Sequence, residues 1–240
     1  MHTIFIEDSR QVDVIDIESL KIKSPPKKQI WVSFDHRMGH SLLTEDKWLI
    51  QTRKCLNNCI ISGWQFLLQQ KFNNCGGLYP AVLAYHGKYT RITNKSDIVQ
   101  VVNSEGKHWV AISTIGCLSG AVNWLDSLHG IPSTHHEKVI AQLLQCEREY
   151  IEINIVNVDM HEGNFDCGLF ALANITAVLN GVDVSMIKFD QKLMRQHLVS
   201  CFEEKTPEVF PLESERPKRC RKILKSYKLQ ASPSLGSLVG

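Results

Sequence analysis

Cys167 stands in the run Asn164-Phe165-Asp166-Cys167-Gly168-Leu169-Phe170, a thiol placed in the first turn of a predicted helix that follows an extended apolar segment. Free N–H groups at a helix start, with the positive end of the helix dipole, favour a thiolate over a thiol. Upstream lie Gly106-Lys107-His108-Trp109 and Trp124-Leu125-Asp126-Ser127-Leu128. The chain order is therefore His108, Asp126, Cys167: a base, a carboxylate to orient it, and a sulfur to activate. The chemistry these three types support is covalent catalysis through sulfur.

Other side chains suited to chemistry lack the spacing for it. Cys55 and Cys59 stand four apart with Cys75 beyond, but no second Cys or His pair completes a structural zinc site, so no metal is expected. His135 and His136 read as exposed residues at a helix start without further spaced ligands. The eight cysteines are scattered through regular elements rather than spaced as a disulfide framework, which favours a reduced, intracellular chain in nucleus or cytoplasm. No organic cofactor box is present; the apolar stripes at Ile60–Leu68 and Val139–Leu144 read as core.

The elements that must position these groups follow from periodicity. Apolar residues at spacings of three and four predict helices over 56–72, 134–149, 167–179 and 191–203. Runs rich in β-branched residues, separated by turn-formers, predict strands over 97–103, 108–115 and 121–128 as an antiparallel meander, and a further strand over 150–158. Strands and helices are partly segregated, so the class is α+β. Residues 1–40, with Ser24-Pro25-Pro26-Lys27-Lys28, read as a leader or linker holding one strand; 41–212 form one domain; 213–240, with Arg216-Pro217-Lys218-Arg219-Cys220-Arg221-Lys222 and a Ser/Gly-rich end, read as a disordered basic tail.

Composition agrees with one catalytic domain. The chain has 240 residues, 43% of them hydrophobic, and a net charge of +2, enough for one substantial core without a polyanion-binding surplus. Nucleic-acid contact is expected only through the basic tail. No stretch approaches the roughly 18 uninterrupted apolar residues of a membrane span, and the N-terminus lacks the apolar core of about 7–15 residues of a secretory signal. The oligomeric state is not legible.

His108-Trp109, Leu125-Asp126-Ser127 and Asp166-Cys167-Gly168-Leu169-Phe170, in that order on strand, strand and helix, resemble the ubiquitin-like-protein-specific cysteine proteases, the Ulp/sentrin-protease family. The resemblance runs from about Leu56 to Pro211. Met194-Arg195-Gln196-His197-Leu198 and Cys201-Phe202-Glu203 look like the closing helix of the divergent members associated with transposable elements. It implies a papain-like fold with the Cys helix packed on a mostly antiparallel sheet, His108 as general base, Asp126 as its orienter and Cys167 as nucleophile toward a peptide or isopeptide bond. It also implies a ubiquitin-like modifier as partner, SUMO-like or NEDD8-like, cleaved after its C-terminal glycine. His108 opens one strand and Asp126 ends its antiparallel neighbour, so both fall at one sheet edge. Gly168 is expected to leave room for a substrate carbonyl to reach the Cys167 N–H, half of an oxyanion hole.

Two positions depart from the family pattern. His161 occupies the place of the glutamine six residues before the nucleophile, whose amide donates to the oxyanion; loss of one such donor costs about 10²–10³ in rate. A loop histidine in solvent is the equal alternative there, and Asn164 is the nearest substitute amide. Cys55-Leu56-Asn57-Asn58 stands where the family reads Trp-Leu-Asn-Asp. Cys55 thus replaces one wall of the channel for a Gly-Gly tail, Trp109 keeps the other, and Asn57 is expected at the substrate; Trp48 and Trp64 are the indoles near enough in sequence to fill the gap. These departures keep open a catalytically impaired binding module that recognises a modifier or transposition partner. A general papain-like peptidase is the third reading.

Overall fold

The computed structural model describes residues 25–34, 41–86, 97–104, 106, 108–144, 149–213 and 222–230. The chain runs β1 (Ile30–Val32), β2 (Leu42–Leu43), α1 (Thr44–Gln51), α2 (Asn58–Lys71), β3 (Gly76–Gly77), α3 (Ala81–His86), β4 (Ile98–Ser104), β5 (His108–Ser113), β6 (Ala121–Leu125), α4 (Thr134–Leu144), β7 (Tyr150–Val156), α5 (Cys167–Leu179), a short 3₁₀ turn (Val184–Met186), α6 (Gln191–Glu204) and β8 (Ile223–Gln230). Six strands form one sheet in the order β3-β4-β5-β6-β7-β8. The β4-β5-β6 meander is antiparallel, as is β7-β8, while β3-β4 and β6-β7 are parallel. This is the α+β, papain-like arrangement expected from the sequence.

The sheet is covered on both faces, which is why β5 reads as a continuous apolar run. Trp109 and Ala111 face the larger core with α2, α5 and α6, while Val110 and Ile112 face the smaller one with Val139, Ile140 and Leu143 of α4. Along β7, Ile151, Ile153 and Ile155 take the α4 side. Helix α5 is buried almost throughout, so its start is a fixed point rather than a surface feature.

Two expected boundaries move. Residues 30–34 belong to the domain and not to a leader: Val32 is buried, Trp31 packs edge-on against Phe202 at 5.7 Å, and Phe34 meets Phe66 at 5.6 Å. Within the expected disordered tail, residues 223–230 form β8, pairing with β7 from Tyr150↔Gln230 to Val156↔Ile223. Tyr227 and Leu229, two apart, lay partly buried side chains on the α4 core, and the Tyr227 hydroxyl reaches Glu137 at 3.3 Å. The leader's residues 1–24, the basic run 216–221 and the end 231–240 lie outside the described residues, as do 145–148 at the end of the expected α4. Among the described residues, no helix is long and apolar enough to cross a membrane.

Candidate active site

His108 opens β5 and Asp126 immediately follows β6, so antiparallel pairing of these central strands sets both at the same end of the sheet. His108 Nε2 donates to Asp126 Oδ1 at 2.7 Å. The carboxylate is itself fixed: Oδ1 accepts the Leu128 N–H at 2.8 Å and Oδ2 the Gly130 N–H at 3.0 Å, in a turn closed by His129 N–H on Asp126 O at 2.9 Å. A Cβ on residue 130 would sit 2.8 Å from Oδ2, so this turn needs glycine to let its backbone reach the carboxylate. Asp126 is 4% exposed, and its neighbours satisfy both oxygens, as burial demands.

Cys167 is the first residue of α5. Asp166 occupies the N-cap position but makes no capping bond; its side chain is drawn away by Arg195 and Gln191. The helix-start N–H groups therefore face the sulfur without a competing cap. Although burial raises the pKa of Cys167, hydrogen bonds from the His108 ring and from the Trp109 and Gly168 N–H groups, with the His108 charge, bring it below the ordinary thiol value. For His108 burial acts downward, but bonds to Asp126 and Cys167 and their charges prevail and push it up to about 9. The two shifts are coupled, because each group favours the charged form of the other. Asp126 takes Nε2, which leaves Nδ1 for the sulfur.

The structure brings His108, Asp126, Cys167, Trp109 and Gly168 together, but revises two of the expected reasons. The space at Gly168 is filled by the protein itself: a Cβ there would stand 2.9 Å from Trp109 Cδ1 and 3.2 Å from Leu56 Cβ. The Trp109 indole N–H donates to Leu56 O at 2.9 Å, so its face is set by α2's approach segment. Asn57, expected at the substrate, spends its side chain on the fold: Oδ1 caps α2 through the Ile60 N–H at 3.0 Å, and Nδ2 donates to Asp46 Oδ1 at 2.7 Å.

His161 is not a loop histidine in solvent. It is buried, its Nδ1 lies 2.9 Å from Ser127 Oγ, and its ring is 5.8 Å from that of Phe170. Burial first, then the His108 charge, lowers its pKa, which keeps the ring neutral beside the pair. Asn164, the substitute amide, is exposed. Trp64 cannot fill the place vacated at Cys55, because it is wholly buried with its N–H on Thr176 Oγ1 at 2.9 Å. His136, expected to be exposed, is buried against Trp124 at 4.8 Å. Among the described residues, no cluster of three His, Cys, Asp or Glu side chains could hold a metal ion.

Sequence reading missed the part played by Arg195. Its Nε donates to Asp166 Oδ1 at 2.9 Å, Nη2 to the same oxygen and to Lys54 O at 3.0 Å, and Nη1 to Ile50 O at 2.9 Å. This buried guanidinium ties the end of α1 to the residue before Cys167; an arginine inside an otherwise amphipathic helical stripe was the available signal. Beside it a groove of about 910 Å³ runs up to Asp166, bordered by Arg53, Lys54, Phe165 and Lys192.

Comparison with known proteins places this geometry. The C-terminal Ulp1 protease domain in complex with Smt3, the yeast orthologue of SUMO, matches with a TM-score of 0.60 at 17% identity, over 75% of this chain and 89% of that one. The chain has the Ulp1 protease fold. The Ulp1-like SUMO protease catalytic domain of Chaetomium thermophilum matches with a TM-score of 0.54 at 16% identity, over 79% of this chain and 87% of that one. A de-sumoylating protease matches with a TM-score of 0.53 at 13% identity, over 75% and 91%. No family model and no curated protein sequence matches. The Ulp1 likeness is thus one of backbone architecture, found where sequence identity is low.

Proposed function

We propose that this protein is a thiol protease that hydrolyses the peptide or isopeptide bond after the C-terminal glycine of a ubiquitin-like modifier. The observation that carries the reading is the 2.7 Å bond from His108 to a buried, doubly anchored Asp126, with Cys167 at a helix start and its thiol pKa brought down by the same ring. The Ulp1 fold supports the substrate class, since its solved examples act on or bind SUMO. The residues behind the resemblance to transposon-associated members, Met194 to Leu198 and Cys201 to Glu203, lie in α6.

In the proposed reaction the Cys167 thiolate attacks the scissile carbonyl and its sulfur–carbon bond forms as the carbonyl oxygen takes the negative charge. The Cys167 N–H and His161 are the donors assigned to that oxygen. With the Ser127 hydroxyl donating to Nδ1, the neutral His161 ring carries its proton on Nε2, the nitrogen free to donate. His108 passes its proton to the leaving amine, whose bond to carbon breaks. It then takes a proton from water as that water attacks the thioester; the carbon–sulfur bond breaks, the Cys167 thiolate is restored and the modifier's carboxylate is freed. Asp126 holds the ring's tautomer throughout.

The test is hydrolysis of modifier fusions. Purified protein should release the C-terminal extension from at least one folded, glycine-terminated ubiquitin-like modifier and should leave short unstructured peptides intact, because remote contacts supply the binding. Cleavage of peptides but no modifier would select a general peptidase. Modifier binding without turnover, unchanged by Cys167→Ala, would select an impaired binding module.

A further inference from the structure

Cys55 stands between two residues that are each fastened to a neighbour of Cys167. On one side, Arg195 Nη2 donates both to Lys54 O, at 3.0 Å, and to Asp166 Oδ1. On the other, Leu56 Cβ lies 3.2 Å from where a Cβ of residue 168 would stand, and Leu56 O holds the Trp109 indole at 2.9 Å. Segments 54–56 and 166–168 are thus joined at both ends, with a thiol in the middle of each. Cys55 is exposed, in a stretch free of regular structure from Thr52, whereas the next cysteine along, Cys59, is held within α2.

We infer that Cys55 and Cys167 form a reversible intramolecular disulfide, Cys55 serving as the resolving thiol for an oxidised Cys167. The oxidant is a hydroperoxide. The Cys167 thiolate attacks its terminal oxygen, the O–O bond breaks, and Cys167 becomes a sulfenic acid while the alkoxide or hydroxide leaves with a proton. The Cys55 thiolate then attacks the sulfenic sulfur; the S–S bond forms, the S–O bond breaks, and the second oxygen departs as water. One hydroperoxide is reduced and two thiols are oxidised. A disulfide needs Cα atoms about 4.4–6.8 Å apart, the separation that the two fastened segments must reach for the bond to close.

The electrostatics time the second step. Burial, and next the negative charge of Cys167, hold the Cys55 thiol above its ordinary value, while Arg195 acts downward. Converting Cys167 to a neutral sulfenic acid removes the second influence and leaves the third, so the resolving thiol ionises more readily once its partner is oxidised. The inference requires a thiolate at Cys167 and no peptide substrate; its readout is therefore separate from that of the proposed proteolysis.

The experiment treats the reduced full chain with an excess of hydrogen peroxide and maps its peptides without reduction. The expected result is a monomer lighter by two hydrogens, a peptide pair linked through Cys55 and Cys167, and full recovery of the Cys167 thiol with dithiothreitol. In Cys55→Ser, whose exposed side chain leaves the core intact, Cys167 should pass to sulfinic and sulfonic acids and its recovery should be lost. Equal recovery in both proteins, a link from Cys167 to any other cysteine, or a link between two chains would overturn the inference.

Discussion

The Cδ1 atom of Trp109 lies 2.9 Å from the point where a Cβ on residue 168 would stand, so indole and glycine are fitted to one another directly behind Cys167. The indole cannot swing aside cheaply, because its N–H is held by Leu56 O. Gly168→Ala is expected to lower stability by about 1–3 kcal/mol in urea unfolding. It should also slow alkylation of Cys167, since the start of α5 must shift. Unchanged stability and unchanged alkylation would mean that Trp109 packs loosely.

The pH profile follows from the two opposed shifts. Below the depressed value of Cys167 the sulfur is protonated and attack fails; above about 9 His108 is neutral and cannot protonate the leaving amine. Turnover should therefore be bell-shaped, with its alkaline limb near pH 9. In His108→Ala the downward influences of the ring on Cys167 vanish while burial remains. Thiolate absorbance in that variant should appear only toward or above the ordinary value of 9.0. A thiolate titration unmoved by His108→Ala would break the pair apart.

Asp126→Asn keeps the shape of the side chain but replaces one of two accepting oxygens by a donor, facing either the His108 ring or the Gly130 N–H. The ring loses its fixed tautomer. The expected loss in kcat is about 10²-fold or more, with KM little changed. A loss confined to KM would remove Asp126 from the proton path.

Arg195→Met would leave the half-buried Asp166 carboxylate without its guanidinium, and four carbonyls without this donor. Breaking such a pair costs about 3–5 kcal/mol, readable by chemical denaturation. Arg195→Lys should not restore it, because one ammonium cannot span Asp166, Ile50 O and Lys54 O together.

What the sequence revealed depended on whether a signal was local. Helix α5 was predicted over 167–179 and spans Cys167–Leu179, because a long apolar run with a turn before it leaves few alternatives. The strand that His108 opens and the one that Asp126 follows were legible from β-branched runs, and their meeting at one end of the sheet followed from antiparallel pairing. By contrast, the burial of His161 depends on Ser127, 34 residues away, and nothing in the 161–166 stretch announces that partner. Strand β8 was hidden because its alternating Tyr227 and Leu229 sit among lysines that read as a solvated tail, and only the exposed edge of β7 gives them a place. The part Asn57 plays in the fold was hidden because the helix it caps reads from the sequence as starting at 56, and because its bond to Asp46 uses a contact from α1, which has no clear signal of its own.

The most direct test is covalent capture. A panel of ubiquitin-like modifiers, each carrying an electrophile at its C-terminal glycine, is incubated with the full chain, and the adduct is mapped by mass spectrometry. The account predicts one modifier joined to Cys167, no adduct in Cys167→Ser, and a marked slowing in Asp126→Asn. If no modifier reacts while Cys167 still alkylates readily with iodoacetamide, the sulfur is activated but the substrate assignment is wrong.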